Sequence, residues 1–270
     1  MKSLKESVKQ ILPETALATV KNTWDSLNRI GEGTSARLHP WRRASIRKLQ
    51  SLKDSHLGER CFIIGNGPSL KQTDLSKLKN EYTIGMNRIY MLYPEMGFET
   101  SYYLSVNDLV IEQCALDIQS LDIPVFLSWR SRQLVKPFSN LHYLYTTYTS
   151  PTFSQDASKR LWEGATVTYV AMQLAFHLGF KTVILIGVDH HFTTQGAPNT
   201  TIESSGDDPN HFDPRYFGKG FRWQLPDLET SEISYKMARE VYRQNDRELI
   251  DATIGGKLQV FPKVEYESLF

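Results

Sequence analysis

The stretch Arg60-Cys61-Phe62-Ile63-Ile64-Gly65-Asn66-Gly67-Pro68-Ser69-Leu70 limits most strongly what this chain can fold into. Cys61 to Ile64 is a short apolar run, too brief for a helix, and it reads as a buried strand. Gly65, Asn66 and Gly67 then turn the chain sharply, and Pro68-Ser69-Leu70 begins a helical turn behind them. A strand that ends in glycines and feeds a helix gathers unencumbered backbone N–H groups at one spot, where a phosphate can sit. A tight turn with no ligand would satisfy the same residues. Leu70 also stands where the dinucleotide fingerprint has its third glycine.

The alternation continues along the chain. Tyr82 to Gly85, Tyr102 to Val106, Ile123 to Leu127, Leu141 to Tyr145 and Lys181 to Ile186 are apolar runs of strand length. Helical spacing falls between them at Leu75 to Lys79, Leu109 to Leu121 and Thr166 to Leu178. In the last of these, Val167, Val170, Ala171, Leu174 and Leu178 form the apolar face and Gly179 ends the helix. Lys181 to Ile186 is continuously apolar, as expected of a strand covered on both faces of a parallel sheet. A further helix is expected over Ser231 to Asn245, with Ile233, Met237 and Val241 on its core face, and Leu249-Ile250 and Leu258 to Phe261 read as closing strands. The expected fold is α/β: a Rossmann-like, mainly parallel sheet flanked by helices, over residues 60–270.

Ligands of such sheets bind outside the carboxyl ends of the strands. Those ends carry Asn66, Ser69, Asn87, Asn107, Asp108, Asp189, His190 and His191. Asparagine both donates and accepts, which suits reading a base or a ribose. Residues 193–229 form a long stretch rich in Gly, Pro, Asn and Asp that reads as a lid-like loop. Its His211, Arg215, Tyr216, Lys219, Arg222 and Trp223 suit phosphate and sugar recognition.

The 270 residues carry a net charge of +1 that conceals an asymmetry: residues 1–60 hold 12 Lys and Arg against 6 Asp and Glu, and the remainder 19 against 24. We therefore expect a basic helical N-terminal arm over residues 1–59, facing an anionic membrane surface or an acidic glycan rather than nucleic acid. Within it, Leu4, Val8, Ile11 and Leu12, then Ala16, Leu17, Val20, Trp24 and Leu27, recur at helical spacing. Leu4, Val8, Trp24 and Leu27 offer a surface for self-association into a homo-oligomer. Gly31 to Ser35 reads as a linker. Trp41 to Leu52 reads as a helix, with Ile46, Leu49 and Leu52 on one face among Arg42, Arg43, Arg47 and Lys48; packing on the main domain is expected ahead of resting on lipid. No run approaches the ~18 apolar residues of a membrane span, and the first residues lack the apolar core of a signal peptide. These features point to the cytoplasm, with the arm able to meet the inner face of the membrane. Cys61 and Cys114 have no metal-ligand spacing and read as buried reduced thiols.

Four segments in order carry a family resemblance: Phe62 to Leu70, Thr83 to Tyr90, Thr166 through Asp189, and Asn210 to Gly220. Residues 60–270 resemble the MptE-like family, which includes the Maf-type flagellin glycosyltransferases and the archaeal 6-hydroxymethyl-7,8-dihydropterin pyrophosphokinases. That family is similar in turn to the bacterial sialyltransferases of glycosyltransferase family 42. The resemblance implies a GT-A-like fold, a CMP-sugar donor and inverting transfer of an acidic sugar to a glycan or glycolipid, with no cofactor and no metal. It implies that Gly65, Asn66, Gly67 and Ser69 meet the phosphate and ribose, that Asn87 and Asn107 read ribose and cytosine, and that Thr166, Gly187 and Asp189 border the nucleotide. Where the sialyltransferases place a phosphate-binding tyrosine, this chain has His191. Where they have Tyr-x-Gly-His, it has Tyr216-Phe217-Gly218-Lys219.

Glycosyl transfer needs a base for the acceptor hydroxyl and stabilisation of the departing phosphate. His211 is the candidate base, with His191, Tyr216 and Lys219 as stabilisers of the leaving group. Asp189, His190, His191, His211 and Asp213 form an alternative metal cluster, and Mg²⁺ with ATP belongs to the pyrophosphokinase alternative. The chain has no lysine-bearing P-loop, so a standard kinase is not expected. A non-catalytic nucleotide- or glycan-binding protein is the third reading, prompted by Lys219.

Overall fold

The computed structural model describes residues 31–270. The amphipathic stretches read before residue 28, with their self-association surface, lie outside the described residues. Helix α1 (Pro40–Leu52) opens behind His39, whose ring nitrogen caps the Trp41 amide. It is followed by β1 (Arg60–Ile64), β2 (Tyr82–Met86), β3 (Tyr102–Ser105), the short helices α2 (Asp108–Gln113) and α3 (Ala115–Gln119), β4 (Val125–Ser128), β5 (Leu141–Thr147) and β6 (Arg160–Trp162). Helix α4 (Val167–Leu178) leads to β7 (Thr182–Ile186), the hairpin strands β8 (Thr201–Glu203) and β9 (Arg222–Gln224), α5 (Leu228–Gln244) and β10 (Glu248–Asp251).

Eight strands form one sheet in the order β10-β7-β1-β2-β3-β4-β5-β6, and every neighbouring pair is parallel. The chain steps outward from β1 to β6 and then returns to the other side of β1. The boundary between β1 and β7 is therefore the point where the winding reverses, and a crevice opens there at the carboxyl ends. Side chains alternate across the sheet as strand geometry requires. Cys61, Ile63, Val183 and Leu185 pack beneath α1, α4 and α5, while Phe62, Ile64, Ile184 and Ile186 pack on the opposite face.

Helix α4 is buried on nearly every side, from Thr168 to Leu178. Thr166 caps its first turn by accepting from the Thr168 amide, and Gly179 ends it at φ +100°, a conformation only glycine adopts without strain. Both cysteines are buried free thiols.

Several boundaries depart from the sequence reading. Gly31 to Ser35 is helical rather than a linker, because tertiary contacts override glycine's poor propensity. Glu32 pairs with Arg132, Ser35 Oγ accepts from the Trp129 indole at 3.2 Å, and Ala36 is buried. Helix α1 does pack on β5, but Arg42 lies inside that contact, 1% exposed, and donates to the Ser158 carbonyl at 2.8 Å. The helix expected over Leu109 to Leu121 breaks at Cys114 into α2 and α3. Strand β6, three residues long, is too short to carry a period and was not anticipated. Leu258 to Phe261 forms no strand; its side chains pack into the core, and the chain returns to the sheet edge only through a single bridge from Asp251 to Lys263. Helix α5 starts three residues early behind the cap Asp227 and buries Ser231, Ser234, Tyr235, Ala238 and Tyr242; of the expected face, Met237 and Val241 pack half-buried against the core, whereas Ile233 is exposed. Residues 193–229 carry the β8–β9 hairpin and bury Phe212, Tyr216, Phe217 and Trp223 in the core.

The glycines of the first turn serve the junction of β1 and β7. A Cβ on Gly65 would stand 2.2 Å from the Gly187 carbonyl oxygen, and one on Gly67 would stand 1.8 Å from Asp189 Oδ2. Backbone cannot yield as a side chain tip can, so Gly65→Ala is expected to lower unfolding stability by about 3 kcal/mol. Urea titration checks this; an unchanged midpoint would show that the two strand ends are not in contact.

Candidate functional site

Three loops meet where the sheet reverses: the Gly65–Gly67 turn after β1, residues 187–191 after β7, and the excursion 193–229 that folds over both. They enclose a cleft of about 260 Å³ that continues past the ends of β2 and β3 to Tyr148 and Glu163 beyond β5 and β6. Four of the seven described non-glycine residues with left-handed backbones line it: Asn87, Ala165, His190 and Asn199. Such conformations cost of order 1–3 kcal/mol each and collect at functional sites.

Of the residues expected at a nucleotide, Gly65, Asn66, Gly67, Asn87, Asn107, Thr166, Gly187 and Asp189 all line the cleft. Ser69 does not; it is buried behind the turn and donates through both its amide (3.1 Å) and its hydroxyl (2.6 Å) to the Asp189 carboxylate. The protein's own carboxylate thus takes the backbone N–H that the sequence reading reserved for a phosphate. Moreover, the helical turn behind it, Pro68–Gln72, is a single short 3-10 element. Burial pushes the Asp189 carboxyl above the usual carboxylate range, and the two bonds from Ser69 pull the other way without cancelling it.

Asn107 caps α2, its Oδ1 accepting from the amides of Leu109 and Val110, so its Nδ2 is what remains for the cleft. Asn87 Oδ1 accepts from Ser105 Oγ at 3.0 Å. Asn66 Oδ1 is buried with no hydrogen-bond partner among the described residues, which costs about 1–3 kcal/mol unless a ligand donates to it. The three amides form a row across the ends of β1, β2 and β3.

The histidines separate. His211 lines the cleft, and its Nδ1 lies 2.6 Å from Oδ2 of Asp208, a buried carboxylate that also accepts from the amides of Asn210 and Phe217. The far ring nitrogen, Nε2, is left for substrate. The ring of Tyr216 stacks on His211 with centroids 4.0 Å apart and planes 13° from parallel. Tyr216 itself is fully buried, outside the cleft lining, with its hydroxyl accepting from the Arg88 amide; it supports the histidine rather than reaching a leaving group. His191 is exposed at the cleft, and His190 faces Glu232 at 3.2 Å. Lys219 lies elsewhere, in a shallow depression with Arg215 and Phe221. The alternative metal cluster does not assemble. Asp189 is held by Ser69, His190 by Glu232 and Asp213 by Arg215, and no three His, Cys, Asp or Glu among the described residues are placed to hold an ion.

Sequence reasoning missed Asp208, Glu163, Tyr148 and the docking residue Arg88. The Asp208-Pro209-Asn210-His211 spacing, a carboxylate three residues before a histidine in a turn, was the available signal for the first. Arg88 donates from Nη1 to the carbonyls of Arg215 (3.0 Å) and Tyr216, and the Phe212 amide donates to the Asn66 carbonyl at 3.0 Å. These bonds fix His211 over the first turn.

Burial alone would raise the Asp208 carboxyl, but the bonds from His211 and the two amides overcome it and hold it below the ordinary 3.8. A depressed folded value means that Asp208 contributes stability in full above the unfolded value and loses it as pH falls through the folded one. Asp208→Asn is expected to cost about 2 kcal/mol at neutral pH, and the gap from wild type should close in acid. Thermal unfolding across that range checks it; a gap independent of pH would sink the stabilising role of the ionised Asp208.

Comparison with known proteins agrees with this architecture. A family model described as 6-hydroxymethylpterin diphosphokinase MptE-like matches residues 38–195, more than half of the chain and ending before the Asp208–His211 pair. A solved MAf glycosyltransferase from Magnetospirillum magneticum AMB-1 shares the fold over 84% of this chain at 15% identity and a TM-score of 0.50; the chain spans 38% of the length of that protein. No curated protein matches. With its all-parallel sheet, its glycine turn against the β7 loop and the family match running from α1 past β7, the chain belongs to the MptE-like family.

Proposed function

We propose that this protein is a glycosyltransferase that moves an acidic sugar from a CMP-activated donor to a hydroxyl of a glycan or glycolipid. The observation that carries the reading is the His211–Asp208 pair on the wall of the cleft. With Nδ1 fixed by a buried carboxylate, Nε2 of His211 is oriented to take a proton, and Asp208 steadies the imidazolium that results. In this reaction the acceptor oxygen bonds to the anomeric carbon on the face opposite the leaving group. The bond from that carbon to the phosphate oxygen breaks, CMP departs with the electron pair, and the hydroxyl proton ends on Nε2.

The lining of the cleft supports the donor class. Among the described residues it contains amides, hydroxyls, histidines and the carboxylates Glu163 and Asp189, but no lysine or arginine. A single phosphodiester charge suits hydroxyls, His191 and the first turn of α4 at Thr166 and Thr168, whereas a diphosphate would call for cations. The reading needs no cofactor and no metal. The described part of the basic segment presents Arg37, Arg43 and Arg47 to solvent, which suits an anionic membrane or glycan near the acceptor. Among the described residues no helix is long and apolar enough to cross a membrane.

The test is stabilisation by nucleotides followed by turnover. CMP is expected to raise the melting temperature without metal, and His211→Ala is expected to cut CMP release from a CMP-sugar by about 10²–10⁴-fold while leaving CMP binding intact. Stabilisation by Mg-ATP alone would favour the diphosphokinase named in the family description. CMP binding without turnover of any CMP-sugar would favour a binding protein.

A further inference from the structure

The end of the cleft farthest from His211 is built around an aromatic ring. Tyr148 follows β5, lines the cleft and is 62% exposed, unusual for a tyrosine whose position is so tightly fixed. Its hydroxyl accepts from Arg130 Nη2 at 2.8 Å, and the Arg130 guanidinium lies 4.3 Å from its ring centroid. Its carbonyl accepts from the Trp162 indole at 3.1 Å. Arg130 is in turn immobilised by bonds to Asp108 (3.1 Å), Glu163 (2.8 Å), and the Thr146 carbonyl (3.1 Å) and hydroxyl (3.0 Å). One side of the ring therefore carries a fixed cation, while the residue borders the cleft and stays largely exposed.

We propose that Tyr148 is the platform on which the base of the donor nucleotide stacks. This rests on the nucleotide-donor reading above and names a residue for it. Three observations lead there. Strand spacing places the end of β5 on the order of 20 Å from the end of β1, so a ligand that reaches both His211 and Tyr148 is extended and carries a second ring at the far end. The row Asn66, Asn87, Asn107 leads from one to the other, suiting a ribose and phosphate between two terminal groups. The acceptor must meet His211 beneath the 193–229 excursion, which leaves the Tyr148 end to the nucleoside. A ring already fixed and already paired with a cation stacks on a planar base without losing rotamer freedom on binding.

The experiment is titration calorimetry with CMP and with ribose 5-phosphate, which lacks the base. Wild type, Tyr148→Phe, Tyr148→Ala and His211→Ala are compared. Tyr148→Ala should weaken CMP about tenfold, within the range found for single base stacks, and leave ribose 5-phosphate unchanged; Tyr148→Phe, which keeps the ring, should bind CMP within about threefold of wild type. The exposure of the side chain makes these variants safe to fold, and circular dichroism verifies it. CMP binding that is equal in wild type and Tyr148→Ala overturns the platform but leaves the donor reading intact. A rise in acceptor KM alone in Tyr148→Ala also overturns it and assigns the ring to the acceptor. Absence of CMP binding in wild type and in His211→Ala overturns the donor reading itself, and the platform with it.

Discussion

The contact between the ends of β1 and β7 is the constraint on which the rest of the molecule depends. Two backbones approach so closely there that neither Gly65 nor Gly67 has room for a Cβ, and Asp189 closes the gap with two hydrogen bonds to Ser69. That contact fixes the reversal of winding, and the reversal opens the crevice. Everything at the site is then referred to it: the excursion over residues 193–229 docks on the Asn66 carbonyl, and the asparagine row begins at the same residue.

The cleft divides its work along its length. At the β1–β7 end sits the proposed base, His211, held by Asp208 and buttressed by the Tyr216 ring. In the middle, the side-chain amides of Asn87 and Asn107 each spend their oxygen on the fold and leave their nitrogen for the cleft. At the β5–β6 end an ion network around the buried Glu163 holds an aromatic ring in place. Glu163 in that network is pushed above the usual carboxylate range by burial, with Arg130 opposing the shift. Removing Arg130 would leave the buried Glu163 without its cation, so the network is expected to behave as one unit.

Much of the fold was legible because its signals are local. The apolar runs at Phe62 to Ile64 and Val183 to Ile186, the cap at Thr166 and the stop at Gly179 each specify their own element. The row of strand-end asparagines and Asp189 was legible for the same reason: topology alone places them together. What the sequence hid depends on contacts between distant parts. Gly31 to Ser35 has the composition of a linker and becomes helix through Arg132 and Trp129. Gly65 and Gly67 read as space for a phosphate, whereas the space is filled by the β7 loop. Lys219, close to His211 in sequence, lies in a separate depression outside the cleft, and Asp208 acquires its contact with His211 only through the fold of the loop around it.

The manner in which residues 193–229 are fastened has a consequence for diversification. Arg88 grips the carbonyls of Arg215 and Tyr216, Asn66 receives the Phe212 amide, and Gln113 both donates to and accepts from the backbone of Arg222. On the excursion's side, all of these bonds are made by main chain, which every residue but proline supplies in full. Side chains at exposed positions such as Arg215 and Lys219 can therefore be exchanged without loosening the attachment. A segment held in this way is a stable frame with an editable outer surface, which can change its recognition while the distance from His211 to the first turn stays fixed.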